Sequence, residues 1–214
     1  MEDQQAEAQP YETIEVEGRS EIIVERSRFL GWAAPAASID EATARVATLR
    51  REHYDARHVC FGARVGRGEG IVDRFNDDGE PTRTGGYPMW QLLQGEGLTD
   101  AVIIAVRYFG GVKLGTGGLA RAYRECARAA LDDAARVVRW PEGMLVLECA
   151  YGQLGALDYL LEHEGAARVV GREWGAGVVT TLAVRRVEAP RVLRSVAGLL
   201  QRDVAALDWS LEAP

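Results

Sequence analysis

Five glycines, Gly110, Gly111, Gly115, Gly117 and Gly118, lie between Arg107 and Arg121, with Lys113 and Thr116 among them. Glycine removes the Cβ where a backbone must turn into the left-handed region or approach another surface closely. An apolar run, Ala101 to Val106, leads into the cluster, and a segment of helical period leaves it. The order is strand, Gly-rich turn, helix. The first N–H groups of a helix have no intrahelical partner and attract anions. Arg107, Lys113, Gly115, Thr116, Gly117, Gly118 and Arg121 are therefore candidate phosphate contacts. Glycines that only let strand and helix pack tightly would give the same pattern. A Walker loop needs Gly-Lys-Ser/Thr, and Gly115 is followed by Thr116 with no lysine. Gly115, Gly117 and Ala120 fit a dinucleotide fingerprint loosely, but Val137-Val138-Arg139-Trp140-Pro141 is not a clear parallel strand with a ribose-binding acid.

A second group of chemical side chains lies in Asn76-Asp77-Asp78-Gly79-Glu80-Pro81-Thr82-Arg83-Thr84-Gly85-Gly86, too rich in Asp, Gly and Pro for regular structure. Asp77, Asp78 and Glu80 are oxygen donors of the kind that hold magnesium near a phosphate, and are equally ordinary turn residues. No other cofactor is expected. His58 and Cys60 share one strand face, but no second ligand pair follows at zinc spacing. Nor is a positioned nucleophile or Ser-His-Asp set readable, so a binding role is expected ahead of catalysis.

Composition narrows the partners. At 214 residues and 47% hydrophobic, the chain can bury one or two cores. Its net charge of −7 disfavours a general polyanion binder, but residues 1–55 hold 6 Arg against 12 Asp/Glu, whereas 101–139 hold 7 Lys/Arg against 3. The glycine region is a basic patch in an acidic protein. No apolar stretch is long enough for a bilayer and the acidic start is unlike a signal peptide, so a cytoplasmic protein without membrane contact is expected. Cys60, Cys126 and Cys149 are distant from one another and sit in apolar contexts, which suits buried thiols.

The elements that must carry these groups follow from periodicity. Residues 1–10 read as a disordered lead-in. Thr13 to Val16 is a strand, and Glu21 to Val24 another that continues through Ser27 to Trp32. Ser38 with Glu41 forms a capping box for a helix from Ile39 to about His53, with Ala42, Val46 and Leu49 inward. His58 to Val65 and Ile71 to Phe75 are strands, and Pro88 to Leu93 a helix. In the helix after the glycines, Leu119, Tyr123, Cys126 or Ala127, Ala130 and Ala134 form the apolar stripe, and Arg121 and Arg128 face Glu125 and Asp132 at pairing distance. Beyond Trp140 come strand Leu145–Ala150, helix Gly152–His163, strands Arg168–Glu173 and Val178–Arg185, helix Pro190–Gln201 and strand Ala205–Leu211. That β-α-β-β-α-β order over 143–214 is the ferredoxin-like plan.

Arg107-Tyr108-Phe109-Gly110-Gly111 followed by Leu114-Gly115-Thr116-Gly117-Gly118-Leu119 and Ala122-Tyr123 resembles the signature of the IMPACT family. Ser27-Arg28-Phe29, Asp55-Ala56-Arg57-His58, Asp77-Asp78-Gly79-Glu80-Pro81 and Pro88-Met89 match in family order. The resemblance spans residues 20–135. It implies an α+β protein: a domain over 11–139 like the second domain of ribosomal protein S five, then a ferredoxin-like domain similar to the last domain of elongation factor G. It points to RNA or the ribosome as partner, or to a protein partner in translation. Eukaryotic relatives regulate translation through an additional N-terminal domain, so their partner is not expected here. The sequence departs from the family where Arg83-Thr84-Gly85-Gly86 replaces Gly-Thr-Ala-Gly; Arg83 adds a positive charge to the phosphate-binding set.

Three readings follow. The first is a non-enzymatic nucleic-acid- or ribosome-binding protein linked to regulation of translation, its basic glycine loop on phosphate. The second is a phosphate- or nucleotide-binding enzyme or switch that uses both loops. The third is a protein interaction module. The first is preferred, although Tyr108 and Phe109 are the only adjacent aromatic pair near the loop for stacking bases.

Overall fold

The computed structural model describes residues 8–210, so residues 1–7 of the lead-in expected over 1–10 and the last residue of the final expected strand lie outside the described residues. The chain folds as two compact units, Tyr11–Arg139 and a second from Trp140 onward.

The first unit is built on five antiparallel strands in the order β2-β3-β6-β4-β5: β2 (Gly18–Val24), β3 (Ser27–Pro35), β6 (Ala101–Tyr108), β4 (His58–Val65) and β5 (Val72–Asn76). The central β6 is buried on both faces, which is why its sequence is continuously apolar rather than alternating. Val102, Ile104 and Val106 join one core with Ala42 and Leu49 of helix α1 (Ile39–Glu52). Ala101, Ile103 and Ala105 join the other, with Met89, Leu92 and Leu93 of α2 (Gly86–Gly95) and Leu119, Tyr123 and Cys126 of α3 (Gly115–Asp133). A small sheet pairs β1 (Tyr11–Val16) antiparallel with β7 (Ala135–Arg139).

The Ser38 cap forms, its Oγ accepting from Glu41 N at 3.0 Å, but the Glu41 carboxylate returns to Ala37 N rather than to Ser38. The continuous strand expected through Val24 and Ser27 is instead a hairpin: β2 and β3 pair back to back across Glu25 and Arg26, with φ of 46° and 67°. Positive φ at both central residues gives the primed turn that matches strand twist, here made without the usual Asn or Gly.

In the second unit, β8 (Glu142–Cys149), α4 (Leu154–Glu164), β9 (Ala167–Trp174), β10 (Val178–Arg185), α5 (Ala189–Leu200) and β11 (Asp208–Ser210) follow one another. The sheet order is β11-β8-β10-β9, with every neighbour antiparallel. Leu145, Leu147 and Leu182 from its strands pack with Leu157, Val192 and Val196 from its helices. One face is thus covered by helix, and β8 alternates buried and less buried residues accordingly.

Candidate anion-binding site

The alternation that sends Ile103 and Ala105 into the α2/α3 core sends Arg107 the same way, and the register sets His58 of β4 beside it. Arg107 is 5% exposed. Its Nη1 donates to Glu80 Oε1 at 2.7 Å, and its Nη2 to Ser27 Oγ at 3.3 Å. The same Glu80 oxygen accepts from Tyr123 Oη of α3 at 2.8 Å. The Nε of Arg107 is buried and has no hydrogen-bond partner among the described residues. His58 donates from Nδ1 to the Asp78 carbonyl at 2.7 Å, leaving Nε2 3.9 Å from Glu80. Burial pulls the His58 pKa below its ordinary value, with the Arg107, Arg57 and Arg50 charges acting the same way and Glu80 opposing. Burial also pushes the Cys60 thiol up to about 12, so Cys60 is a packed side chain rather than a thiolate.

Above this polar floor lies a pocket of about 370 Å³. Its walls include Pro81, Phe109, Leu114 and Leu119, and its polar lining includes Arg57, Lys113, Thr116 and the backbone of Gly115. The pocket opens at the start of α3, whose N-cap position, Leu114, offers no side-chain hydrogen bond and whose first turn has no acid. Those amides therefore have no side-chain cap. Lys113, Arg57, Arg83 and Arg121 form no ion pair among the described residues.

The five glycines differ in what they are for. A Cβ on Gly110 would meet the Arg26 backbone at 2.0 Å, and Gly111 and Gly115 have φ of 88° and 68°. Gly117 has neither constraint, since its φ is ordinary and a Cβ there would meet only the end of the Arg121 side chain, at 3.5 Å, whereas a Cβ on Gly118 would press on Leu114 Cβ at 3.2 Å. Glycine in a helix costs about 1 kcal/mol relative to alanine. The fold gives no such reason for Gly117.

The acidic loop is organised as a brace. Asp77 Oδ1 accepts from Gly85 N and Gly86 N at 2.9 Å each, and Oδ2 from Arg83 N at 2.6 Å, so Asp77 caps α2 from outside the helix. Asp78 accepts from Val59 N at 2.7 Å and pairs with Arg50. Asp77, Asp78 and Glu80 are thus drawn to three different sets of donors. Among the described residues, no group of three or more His, Cys, Asp or Glu side chains converges as a metal site, so the loop offers magnesium no ready cage. Arg83 is exposed with φ of 63°, its guanidinium 5.0 Å over the Tyr87 ring. The expected Arg121–Glu125 pair is not formed, whereas Arg128 pairs with Glu96 at 2.7 Å and lies 4.0 Å from Asp132.

Lys113, Gly115 and Thr116 are brought together at the pocket, with Arg107 in its floor; Arg83 and Arg121 are not among its lining residues. Sequence reasoning missed Arg57, Glu80's bond with Arg107, and an aromatic group of Phe75, Tyr87 and Trp90 with ring centroids 5.3 to 5.9 Å apart. The last had a faint signal, since Phe75 on β5 and Tyr87 and Trp90 on α2 flank the acidic loop.

The Impact N-terminal domain model matches residues 25–131, which contain this site. The chain belongs to the IMPACT family. An IMPACT family member of Thermus thermophilus is 47% identical over 141 residues, covering 65% of this chain and 74% of that protein. The IMPACT family member YigZ of Escherichia coli is 34% identical over 162 residues, 75% and 79% of the two chains. A crystal structure described as a hypothetical protein is similar over 95% of this chain and 98% of its own, with 28% identity and a TM-score of 0.68. Among the described residues, no helix of this IMPACT family chain is long and apolar enough to cross a membrane.

Proposed function

We propose that this IMPACT family protein is a non-enzymatic, phosphate-recognising protein of the cytoplasm that contacts RNA or the ribosome in the regulation of translation. The observation that carries the reading is the uncapped start of α3, opening with Lys113 and Arg57 onto the pocket. Amides without a side-chain cap, two cations that pair with no acid among the described residues and an apolar wall make a receptor for an anion on an organic body. The sheet order β11-β8-β10-β9 supports a ferredoxin-like second domain, and the helix-flanked antiparallel sheet of the first supports its kinship with ribosomal protein S five. Arg83 over Tyr87, beside Phe75 and Trp90, adds an aromatic and basic surface suited to bases. Anisotropy of a labelled single-stranded RNA at two salt concentrations tests the reading. Binding should weaken with salt, and Lys113→Ala should lower both affinity and salt slope. Equal binding by wild type and variant would move the contact elsewhere.

A second reading, a nucleotide-binding enzyme or switch, is favoured by the His58, Glu80 and Tyr123 side chains gathered at the pocket's polar floor. Nucleotide turnover, absent under the first reading, distinguishes the two.

A further inference from the structure

The pocket ends on two hydrogen-bond acceptors that nothing in the fold uses. Glu80 and His58 both line it. Glu80 Oε1 accepts from Arg107 and Tyr123, but Oε2 has no hydrogen-bond partner among the described residues, although the side chain is only 4% exposed. A carbonyl can only accept, so the bond to Asp78 fixes the proton of the neutral imidazole on His58 Nδ1 and leaves a lone pair on Nε2. Nε2 is unpartnered as well, because Glu80 Oε1 is 3.9 Å away and is itself an acceptor.

Neither atom is sealed in the interior. Among the described residues, the buried side-chain nitrogens and oxygens without a partner are Trp90 Nε1, Arg107 Nε, Arg172 Nε and Thr180 Oγ1. Glu80 Oε2 and His58 Nε2 are not in that group, so both reach accessible surface, and the surface that both residues line is the pocket. An unused acceptor on a carboxylate so nearly buried is unfavourable until a donor reaches it.

Charge and shape select the donor. Arg107 matches Glu80, burial favours neutral His58, and the exposed Lys113 and Arg57 pair with no acid among the described residues. The lining is therefore positive by two charges, which repels an ammonium or guanidinium and leaves neutral donors. Two neighbouring acceptors suit two neighbouring hydroxyls, and a carboxylate accepting from a ribose hydroxyl is a recurrent arrangement in nucleotide sites. Lys113 and Arg57 suit an anion carried on the same molecule. The volume, about 370 Å³, falls in the small-ligand range of roughly 300 to 1,000 Å³. Tyr123 is fully buried and the Arg107 side chain is 6% exposed, so the floor is closed and a strand enters only by its end.

We infer that the pocket receives the 2′,3′-diol of a ribonucleotide, its hydroxyls donating to Glu80 Oε2 and His58 Nε2 and its phosphate lying at Lys113 and Arg57. This rests on the RNA reading above and narrows it to the 3′ end, where alone an RNA strand has a free diol. A free ribonucleotide carries the same group.

Anisotropy with the full chain would compare two 5′-labelled RNA octamers, one ending in a ribose and one in a 2′,3′-dideoxyribose. Adenosine monophosphate and its 2′,3′-dideoxy counterpart would be titrated calorimetrically. The diol should bind about 10-fold tighter than the dideoxy form, because the latter leaves both acceptors unpaired. His58→Asn places an amide where Nδ1 stands, able to donate to the Asp78 carbonyl, but has nothing at Nε2; it should lower the preference several-fold. His58→Gln, whose amide oxygen reaches the Nε2 position, should restore part of it, which a merely structural role would not do. The ligand pairs decide the matter even if a variant folds poorly. A diol preference for adenosine monophosphate with no binding of either RNA would support the pocket chemistry, assign the source as free nucleotide and overturn the RNA reading. Equal binding of ribose- and dideoxyribose-ended RNA, with no preference between the monophosphates, would overturn diol recognition and leave the RNA reading standing. No binding of any of the four would overturn both.

Discussion

Arg107 Nη1 lies 2.7 Å from Glu80 Oε1, a pair 27 residues apart in sequence that joins the central strand to the acidic loop. Both side chains are almost fully buried. Removing one partner leaves an uncompensated buried charge, at a cost of about 3–5 kcal/mol. Glu80→Ala and Arg107→Met should each lose stability on that scale in urea denaturation, and Glu80→Leu with Arg107→Met together should lose much less than the sum. Additive losses would mean the two groups act independently.

Arg83 has φ of 63°, in the left-handed region, at the position where the resemblance to the family pattern implies glycine. A non-glycine residue there costs about 1–2 kcal/mol, partly offset by the greater freedom of glycine in the unfolded chain and by the exposed contact with Tyr87. Arg83→Gly should therefore stabilise the protein by about 0.5 kcal/mol. Thermal and urea midpoints check this; a lower midpoint would show that the stacked guanidinium outweighs the backbone strain.

Two glycines of the Gly110–Gly118 stretch, one before α3 and one in its first turn, should respond oppositely to alanine. Gly110→Ala forces a Cβ onto the Arg26 backbone and should cost about 3 kcal/mol. Gly117→Ala meets no backbone and should gain about 0.5 kcal/mol of helix propensity. If both destabilise, Gly117 has a structural duty not evident in its surroundings.

His58 makes stability depend on pH in a defined direction. Its folded pKa is below the ordinary 6.5. Above that pH the imidazole is neutral in both states and contributes nothing; below it the unfolded chain takes up the proton first, so stability falls as pH falls. Between pH 7.5 and 5.5, His58→Gln should lose less stability than wild type. A difference that stays constant across that window would assign the acid sensitivity to other groups.

What the sequence disclosed depended on how local the cause was. The strand from Ala101, the glycine turn and the helix behind it were legible because one apolar run and one period carry them. Ser38 announced its helix because a cap acts across three residues. The Glu25–Arg26 turn was hidden because neither residue type marks positive φ; the antiparallel pairing of the flanking strands holds it there. The braces at Asp77 and Glu80 were hidden for another reason: an acidic loop has the same composition whether its carboxylates face solvent, a metal, or the amides and guanidinium they meet here. Arg107 was legible as a cation near the loop, but not as one held by an acid from across the fold.

The two-faced burial of β6 gives its sequence a proofreading role. Every residue of Ala101–Val106 belongs to one of two apolar cores, and the next, Arg107, has its counter-ion on one side only. If β6 slipped by one residue against β3 and β4, the apolar positions would exchange cores with modest penalty, since alanines, valines and isoleucines are tolerated on either side. Arg107 would not be tolerated, because its guanidinium would enter the α1 core, among Leu30, Val59 and Leu49, with Glu80 left behind. One charge at the end of an otherwise permissive strand thus rejects the shifted sheet, and a chain that has assembled the pocket floor has already verified its register.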